Sequence, residues 1–110
     1  MSLNRKIISV VQPIVGVCVA DTYDGGLQET YSTFNYTEMP EGMADNAPHA
    51  LRCSVQVHLY LPKDVNSLAL RRELRRAIAA QRGFTAPVVT NASDNDGQHF
   101  VYEFDALEGW

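Results

Sequence analysis

Residues 51–60 alternate between apolar and polar side chains, and this pattern constrains the fold more than any other part of the sequence. The apolar members are Leu51, Cys53, Val55, Val57 and Leu59, and they alternate with Arg52, Ser54, Gln56, His58 and Tyr60. Because successive side chains of a β-strand point to opposite faces, the pattern predicts a strand with one buried face. A sheet covered on one face only is typically antiparallel.

An amphipathic helix is predicted after this strand, over residues 66–82. Its apolar stripe recurs at helical spacing and consists of Leu70, Leu74, Ala77 and Ile78. Asn66 or Ser67 is expected to cap the N-terminus of the helix, and Gly83 is expected to end it. The strand and the helix are therefore expected to bury their apolar sides against each other.

The rest of the chain divides into shorter segments. Apolar spacing predicts a helix over residues 3–11, limited by Pro13. β-Branched and aromatic residues predict strands over 14–20, 30–38, 84–90 and 99–106. Turn-forming residues predict loops over 21–26, 39–48 and 91–97.

The order of these segments sets the expected fold class. A helix precedes three strands, and a second helix precedes two more, with most strands close enough to join as hairpins. A chain of 110 residues suits one domain. The sequence therefore predicts a single α+β domain over residues 1–110. We expect a two-layer sandwich, in which two helices cover one face of a mostly antiparallel sheet of four to five strands.

Histidines and cysteines are the first candidates for metal binding or catalysis. His49, His58 and His99 lack a second ligand at a spacing typical of zinc sites, and they are expected to be surface or edge histidines, with His49 in a loop. Cys18 and Cys53 are expected to be buried, reduced thiols, with a disulfide as the alternative. The sequence thus predicts no metal site.

Residues 91–97 carry Asp94 and Asp96 just before Gly97. A hairpin turn is the favoured interpretation, and a calcium loop is the alternative, although Ala92 would then occupy the first ligand position. Phosphate-binding and nucleophile-elbow motifs are absent from the sequence. We therefore expect no catalytic residue, no cofactor and no enzymatic activity.

Charge is distributed unevenly along the chain. Residues 63–82 hold six basic and two acidic residues, a net charge of +4, whereas the remainder has three basic and eleven acidic residues, a net charge of −8. The arginines opposite the apolar stripe of the helix are Arg71, Arg72, Arg75, Arg76 and Arg82. They could form a solvated surface, bind an acidic partner such as another copy of the chain, or contact nucleic-acid phosphates. The acidic remainder disfavours nucleic acid, and the length of the apolar runs predicts no membrane span.

Four stretches together share a pattern with a known family. They are the aromatic strand TYSTFNYTE (30–38), the turn Ala44-Asp45-Asn46, the strand LRCSVQVHLYLPK (51–63) leading into a helix, and the closing strand HFVYEFDAL (99–107). Over residues 30–107 the chain resembles the tail-completion or tail-terminator (minor tail) proteins of long-tailed bacteriophages and prophages. Its N-terminal helix is shorter than is usual there, and the proline-rich lead-in is missing.

This resemblance implies a structural protein without enzymatic activity or cofactor. Such proteins form homo-oligomeric rings, often hexamers, at the head-proximal end of the tail, where they meet the tail tube and the head–tail connector. The resemblance implies a location in the virion tail and assembly in the host cytoplasm, with nucleic acid met only in the ring lumen. We expect Arg71, Arg72, Arg75 and Arg76 to lie at a subunit interface or to line the ring.

Two other function classes remain open at this point. A small dimeric α+β module that binds a ligand or has a regulatory role would show a concave apolar pocket. A small enzyme would need a catalytic constellation that the sequence does not offer. A ring in native mass spectrometry would favour the tail protein over both.

Overall fold

The computed structural model of the chain describes residues 2–26, 28–44 and 47–109. Helices and strands follow one another in the predicted order. The helices are α1 (Leu3–Val15) and α2 (Leu68–Ala80), and the strands are β1 (Cys18–Ala20), β2 (Tyr31–Ala44), β3 (Ala47–Leu61), β4 (Val88–Asn91) and β5 (Gln98–Gly109).

The strands form one sheet in the order β1-β2-β3-β5-β4. The β1–β2 pair is parallel, and the other three pairs are antiparallel. β3 lies at the centre, where Val57 is opposite Phe34 of β2 and Tyr102 of β5. The predicted α+β fold with a mostly antiparallel sheet is therefore confirmed.

One face of the sheet and both helices enclose the hydrophobic core. The central strand contributes Cys53, Val55, Val57 and Leu59, which are fully buried as the alternation predicts. The burial predicted for Leu51 lies outside the described side chains. The helices contribute Leu3, Ile7 and Val11 from α1 and Leu74 and Ile78 from α2. Both helices therefore pack on the same face of the sheet.

The second helix begins and ends close to its predicted limits. Ser67 occupies the N-cap position, but the side chain that accepts from a backbone N–H is that of Asn66, whose Oδ1 lies 3.2 Å from the nitrogen of Leu68. The helix ends at Ala80, and Gly83 follows with a φ of 88°, a conformation that glycine adopts readily. The sequence signals for both ends are thus located to within about two residues.

The first helix extends beyond its predicted end at Val11. Ser2 caps its start by accepting from the N–H of Arg5, and Pro13 lies inside the last turn. Proline removes one helical hydrogen bond, but Ile14 and Val15 then pack against the core and offset part of that loss. The strand predicted over residues 14–20 therefore shrinks to β1, which begins only after Gly16 ends the helix with a φ of 96°.

The loop predicted over residues 39–48 is wrong. β2 continues to Ala44 and β3 begins at Ala47, so the two strands form one long hairpin. The ladder holds residues of this segment on both strands, including Pro40, which pairs with Leu51. His49 accordingly lies in a strand, contrary to the prediction of a loop. Asp45 and Asn46, which carry the predicted turn, lie outside the described residues.

The strand predicted over residues 84–90 is shorter than expected. β4 begins at Val88, and Phe84 forms only an isolated bridge with Ala106. Pro87 lacks the N–H that a continuous ladder would need. β4 ends at Asn91 and β5 starts at Gln98, which confirms the hairpin predicted between them.

Candidate assembly surface

Arg71 packs against the sheet within the subunit. Its guanidinium carbon lies 4.4 Å from the centre of the Phe100 ring, and its Nε donates to Ser67 Oγ at 3.0 Å. Ser67 Oγ in turn donates to Gln98 Oε1 at 2.7 Å, which ties the start of α2 to β5. Of the four arginines expected at an interface, Arg71 therefore has a structural role inside the fold.

The other three, Arg72, Arg75 and Arg76, are exposed, and we call them the arginine face. Arg52 and Asp105 form an ion pair at 3.8 Å, and none of these three arginines takes part in it. In the described part of the chain, no carboxylate is in contact with the arginine face. The charge of these three side chains is therefore compensated only by solvent.

One member of the arginine face turns toward an edge of the sheet. At 100° per residue, Arg75 lies about 40° around α2 from Arg71, so it turns to the same flank as Arg71, which lies on β5. The opposite flank is taken by α1, which contacts α2 as well as β1 and β2. Since β4 follows β5 at the end of the sheet, Arg75 turns toward the β4 side of the molecule, whereas Arg72 and Arg76 extend into solvent.

Tyr102 marks the contact of this flank with β5. Its side chain is fully buried, and its hydroxyl donates to the backbone oxygen of Arg71 at 3.0 Å. Burial raises the pKa of Tyr102 to about 12, against a smaller opposing effect of the charges on Arg71 and Arg75. Arg75 lies one helical turn beyond Arg71, whose backbone oxygen is at the Tyr102 hydroxyl.

Acidic side chains lie at the other edge of the sheet, formed by β1 and β2. Glu38 is exposed in β2. Asp21 and Asp24 are exposed in the connection between the two strands. Groups of opposite charge therefore occupy the two edges of one sheet.

That acidic edge is also open along part of β2. β1 pairs with β2 only from Ser32 to Phe34. Past Phe34, no strand in the described residues pairs with the outer side of β2, which continues to Ala44. An edge of this kind presents hydrogen-bonding groups that a strand of another chain can use.

The face of the sheet away from the helices carries an aromatic cluster. The rings of Tyr31, Tyr60 and His99 stack side by side, with centroids 4.7 Å and 4.3 Å apart. His58 Nδ1 and His99 Nε2 share a hydrogen bond of 2.9 Å. Burial lowers the pKa of both histidines, and His58 lowers that of His99 further. Both imidazoles are therefore mostly neutral at pH 7.

A cleft of about 210 Å³ adjoins this cluster. Tyr31, Tyr60 and His99 form one wall, and Glu29 and Asp94 contribute acidic groups. In the described part of the chain, no three metal-binding side chains come together. The cleft thus combines aromatic surface with negative charge and offers no set of metal ligands.

The turn at the mouth of this cleft uses its acids for backbone contacts. Asp94 Oδ1 accepts from the N–H of Asp96 at 2.8 Å and from that of Gly97 at 3.3 Å. Asn91 Oδ1 accepts from the N–H of Ser93 at 3.0 Å. These are the side-chain bonds of turns, as the hairpin interpretation of residues 91–97 predicts.

Both cysteines lie in the hydrophobic core. Cys18 and Cys53 are buried and not bonded to each other, as the favoured interpretation expects. Burial raises the pKa of the Cys18 thiol, against a smaller effect of a hydrogen bond with Ser32. None of the described helices has the length and apolarity that crossing a membrane requires.

Sequence reasoning identified the arginines but missed the open edge and the histidine pair. The turn-forming residues of 39–48 predict a loop, so the sequence gives no sign of the open edge of β2. His58 and His99 both occupy polar positions of their strands, but only the register between β3 and β5 brings them together. Glu38 had no signal of its own in the sequence.

Comparison with known proteins adds no family to these observations. No family model matches the chain, and no curated protein sequence is significantly similar to it.

Proposed function

We propose that this protein is a structural subunit that assembles with copies of itself into a ring. We propose further that it belongs to the tail-completion or tail-terminator proteins of long-tailed phages and prophages. The resemblance over residues 30–107 supports this part of the proposal. The ring would sit at the head-proximal end of the tail and contact the tail tube and the connector. Its proposed location is the virion tail, after assembly in the host cytoplasm.

The arginine face is the observation that carries this proposal. Arg72, Arg75 and Arg76 are exposed and make no described ion pair, on a chain whose net charge is −4. Folding therefore does not explain them. Arginine suits interfaces because its planar fork pairs with carboxylates through two hydrogen bonds. The acidic remainder of another copy supplies such carboxylates.

The shape of the subunit also supports assembly. The molecule measures 54 × 25 × 22 Å, and the β2–β3 hairpin continues past the last residue of β5, since Gly109 pairs with Ala50. A projecting hairpin can reach a neighbour in a ring. Interfaces that join two different patches of one chain close into rings when the rotation between copies allows it.

The proposal is tested by reversing charge on the arginine face. Purified wild-type protein should form a closed ring, hexameric by the resemblance, in native mass spectrometry and in light scattering after size exclusion. Arg72→Glu with Arg75→Glu should shift the population toward the monomer. Lys63→Glu, a single charge change in the turn before α2, serves as the control and should keep the ring.

Two results would contradict this proposal. A wild-type protein that stays monomeric at every concentration would remove self-assembly, and an unchanged ring in the double variant would remove the arginine face from the interface. Genes for capsid, portal and tape-measure proteins beside this one would support the phage identity. Their absence would leave a ring subunit of another origin.

A small ligand-binding module is the second candidate, and the cleft beside Tyr60 and His99 favours it. At about 210 Å³ the cleft is below the roughly 300–1,000 Å³ of typical ligand pockets, which makes this the weaker candidate. A dimer in native mass spectrometry, with small cationic aromatic compounds causing chemical shift changes at Tyr60 and His99, would support it. The cleft contains no catalytic constellation, so we propose no enzymatic activity.

A further inference from the structure

We propose that the two edges of the sheet join between copies, so that β4 of one subunit pairs antiparallel with the open part of β2 in the next. This inference rests on the proposed self-assembly and specifies the contact. The partner is a second copy of this chain. The contact would be heterologous, as ring closure requires.

The topology brings compatible strands to the two edges. Within the sheet, β2 and β5 run in one direction and β3 and β4 in the other. A β4 strand placed beside the next β2 strand therefore continues the antiparallel alternation. The helices of both copies would then lie on the same side of one continuous sheet.

Hydrogen-bond directions select matching positions on each edge. On β2, Ser32 donates outward to Val17 of the segment before β1, so even-numbered residues direct their N–H groups away from β3. On β4, the Ala92 N–H donates inward to His99, so Val89 and Asn91 direct theirs away from β5. These outward groups are the ones that a second strand would meet.

We choose the register that uses the stretch of β2 between β1 and Pro40. β1 covers Ser32 and Phe34, and Pro40 has no N–H to donate, so the outward positions of this stretch are 36 and 38. Pairing them antiparallel with β4 sets Glu38 opposite Val89 and position 36 opposite Asn91. All four side chains then lie on the core side of the joined sheet, since even positions of β2 and odd positions of β4 share that face.

The same register brings opposite charges together. Within one subunit, the register of the strands places Val89 at the same level as Phe34. Between subunits, Val89 is instead opposite Glu38, so the neighbour is shifted by the four residues that separate Phe34 from Glu38. That shift is about 13 Å at about 3.3 Å per residue. Closed sheets need a stagger between strands because the strands are tilted.

After this shift, Arg75 lies near the level of Glu38 in the neighbour, because Arg71, one helical turn earlier, accepts a hydrogen bond from Tyr102 through its backbone oxygen. Glu38 is exposed on the helix side of its strand, and Arg75 is exposed on the helix side of its own subunit, on the flank of α2 away from α1. The pairing therefore joins one arginine of the arginine face to one acid of the opposite edge. Arg76 turns toward solvent and gains no partner in this arrangement.

Charge exchange tests the side-chain part of this arrangement. Sedimentation velocity over a concentration series gives the concentration at which half of the subunits are assembled. Glu38→Arg and Arg75→Glu should each raise it by about three- to tenfold, the range of an exposed ion pair with added repulsion. The double variant, with both changes, should return it close to the wild-type value. Lys63→Glu, a charge reversal outside the arginine face, is the control and should have little effect.

Backbone pairing is tested at the same residue. Glu38→Pro removes an outward N–H without touching the β2–β3 ladder, so assembly should weaken by about tenfold or more while the subunit stays folded. Glu38→Gln removes the charge but keeps the N–H, and it should weaken assembly less. Circular dichroism of each variant verifies that the subunit is folded.

A disulfide locates the contact directly. Glu38→Cys and Val89→Cys, mixed as separate single variants, should form a cross-linked dimer under mild oxidation, because directly opposite residues lie within bonding range. Glu29→Cys with Val89→Cys is the control pair and should not cross-link. Rings that persist in Glu38→Pro, no rescue by the charge exchange and no cross-link would overturn the edge pairing but leave ring assembly intact. A monomeric wild-type protein would overturn both proposals.

Discussion

Neighbouring arginines of one helix have different roles in this protein. Arg71 covers the Phe100 ring and binds Ser67, whereas Arg72 extends into solvent one residue later. The sequence places both opposite the apolar stripe, and their difference follows from the angle between successive helical residues. Only the contact with β5 reveals which arginine belongs to the fold.

Replacing these two arginines separately should show that difference. Arg71→Ala loses a cation–π contact, a hydrogen bond and the packing of the side-chain stem, so the free energy of unfolding should fall by about 1–2 kcal/mol. Arg72→Ala should change it by less than about 0.5 kcal/mol. Urea denaturation of the monomeric form measures both. Equal effects would contradict the assigned role of Arg71.

Tyr102 predicts how stability responds to alkaline pH. The unfolded phenol ionises near pH 10, whereas burial raises the folded pKa to about 12. Between these values the unfolded state has lost a proton that the folded state retains, so rising pH favours unfolding. This group should lower the free energy of unfolding by about 1.3 kcal/mol from about pH 9 to about pH 11.

Tyr102→Phe should remove that part of the alkaline loss. The variant also loses the hydrogen bond to the Arg71 carbonyl oxygen, which costs about 1 kcal/mol at neutral pH. Urea denaturation at both pH values gives the comparison, and Tyr60→Phe, on the opposite face of the sheet, is the control. An unchanged pH dependence in Tyr102→Phe would assign the alkaline loss to other groups.

At the scale of secondary-structure elements, the sequence predicts those whose local pattern agrees with their packing. The alternation of residues 51–60 locates the core side of β3 because its period matches the pleat of a strand. The spacing of Leu74 and Ile78 likewise locates the buried side of α2. Both follow from side-chain polarity alone.

The parts of β2 and α1 that the sequence does not predict are stabilised by tertiary contacts, which no local sequence pattern encodes. Pro40 and Gly42 are poor strand formers, yet β2 runs through them because β3 pairs with it at almost every position. Pro13 is a poor helix residue, yet α1 continues through it because Ile14 contacts the core. The open edge exists because β2 continues through Pro40 and Gly42, so the sequence alone does not predict this part of the candidate site.

At the scale of the whole molecule, charge is separated across the sheet. Arg75 of the arginine face turns toward the β4 edge, and Glu38 with the acids before β2 borders the other edge. Two copies placed edge to edge therefore attract each other, and a face-to-face arrangement of two arginine faces is repelled. This separation favours head-to-tail assembly over a symmetric dimer.

Salt should weaken this assembly. Exposed charges interact over about 14 Å at about 0.05 M NaCl but over only about 4 Å at about 0.5 M. The half-assembly concentration should rise several-fold across that range, as sedimentation velocity can show. Arg75→Glu should reduce this salt dependence, and the exchange of Arg75 with Glu38 should restore it. Stronger assembly at high salt would instead indicate an apolar interface.

The position of β5 between β3 and β4 has a consequence for how the chain folds during synthesis. The β2–β3 hairpin, made early, can close through contacts that are near in sequence. β5 is made after β4 but pairs with β3 across about 40 residues of intervening chain. Until it arrives, β3 keeps an open edge and α2 lacks the contacts of Arg71 with Phe100 and Tyr102. Late insertion of a central strand is a slow step, and the exposed β3 edge is where misassembly during synthesis would begin.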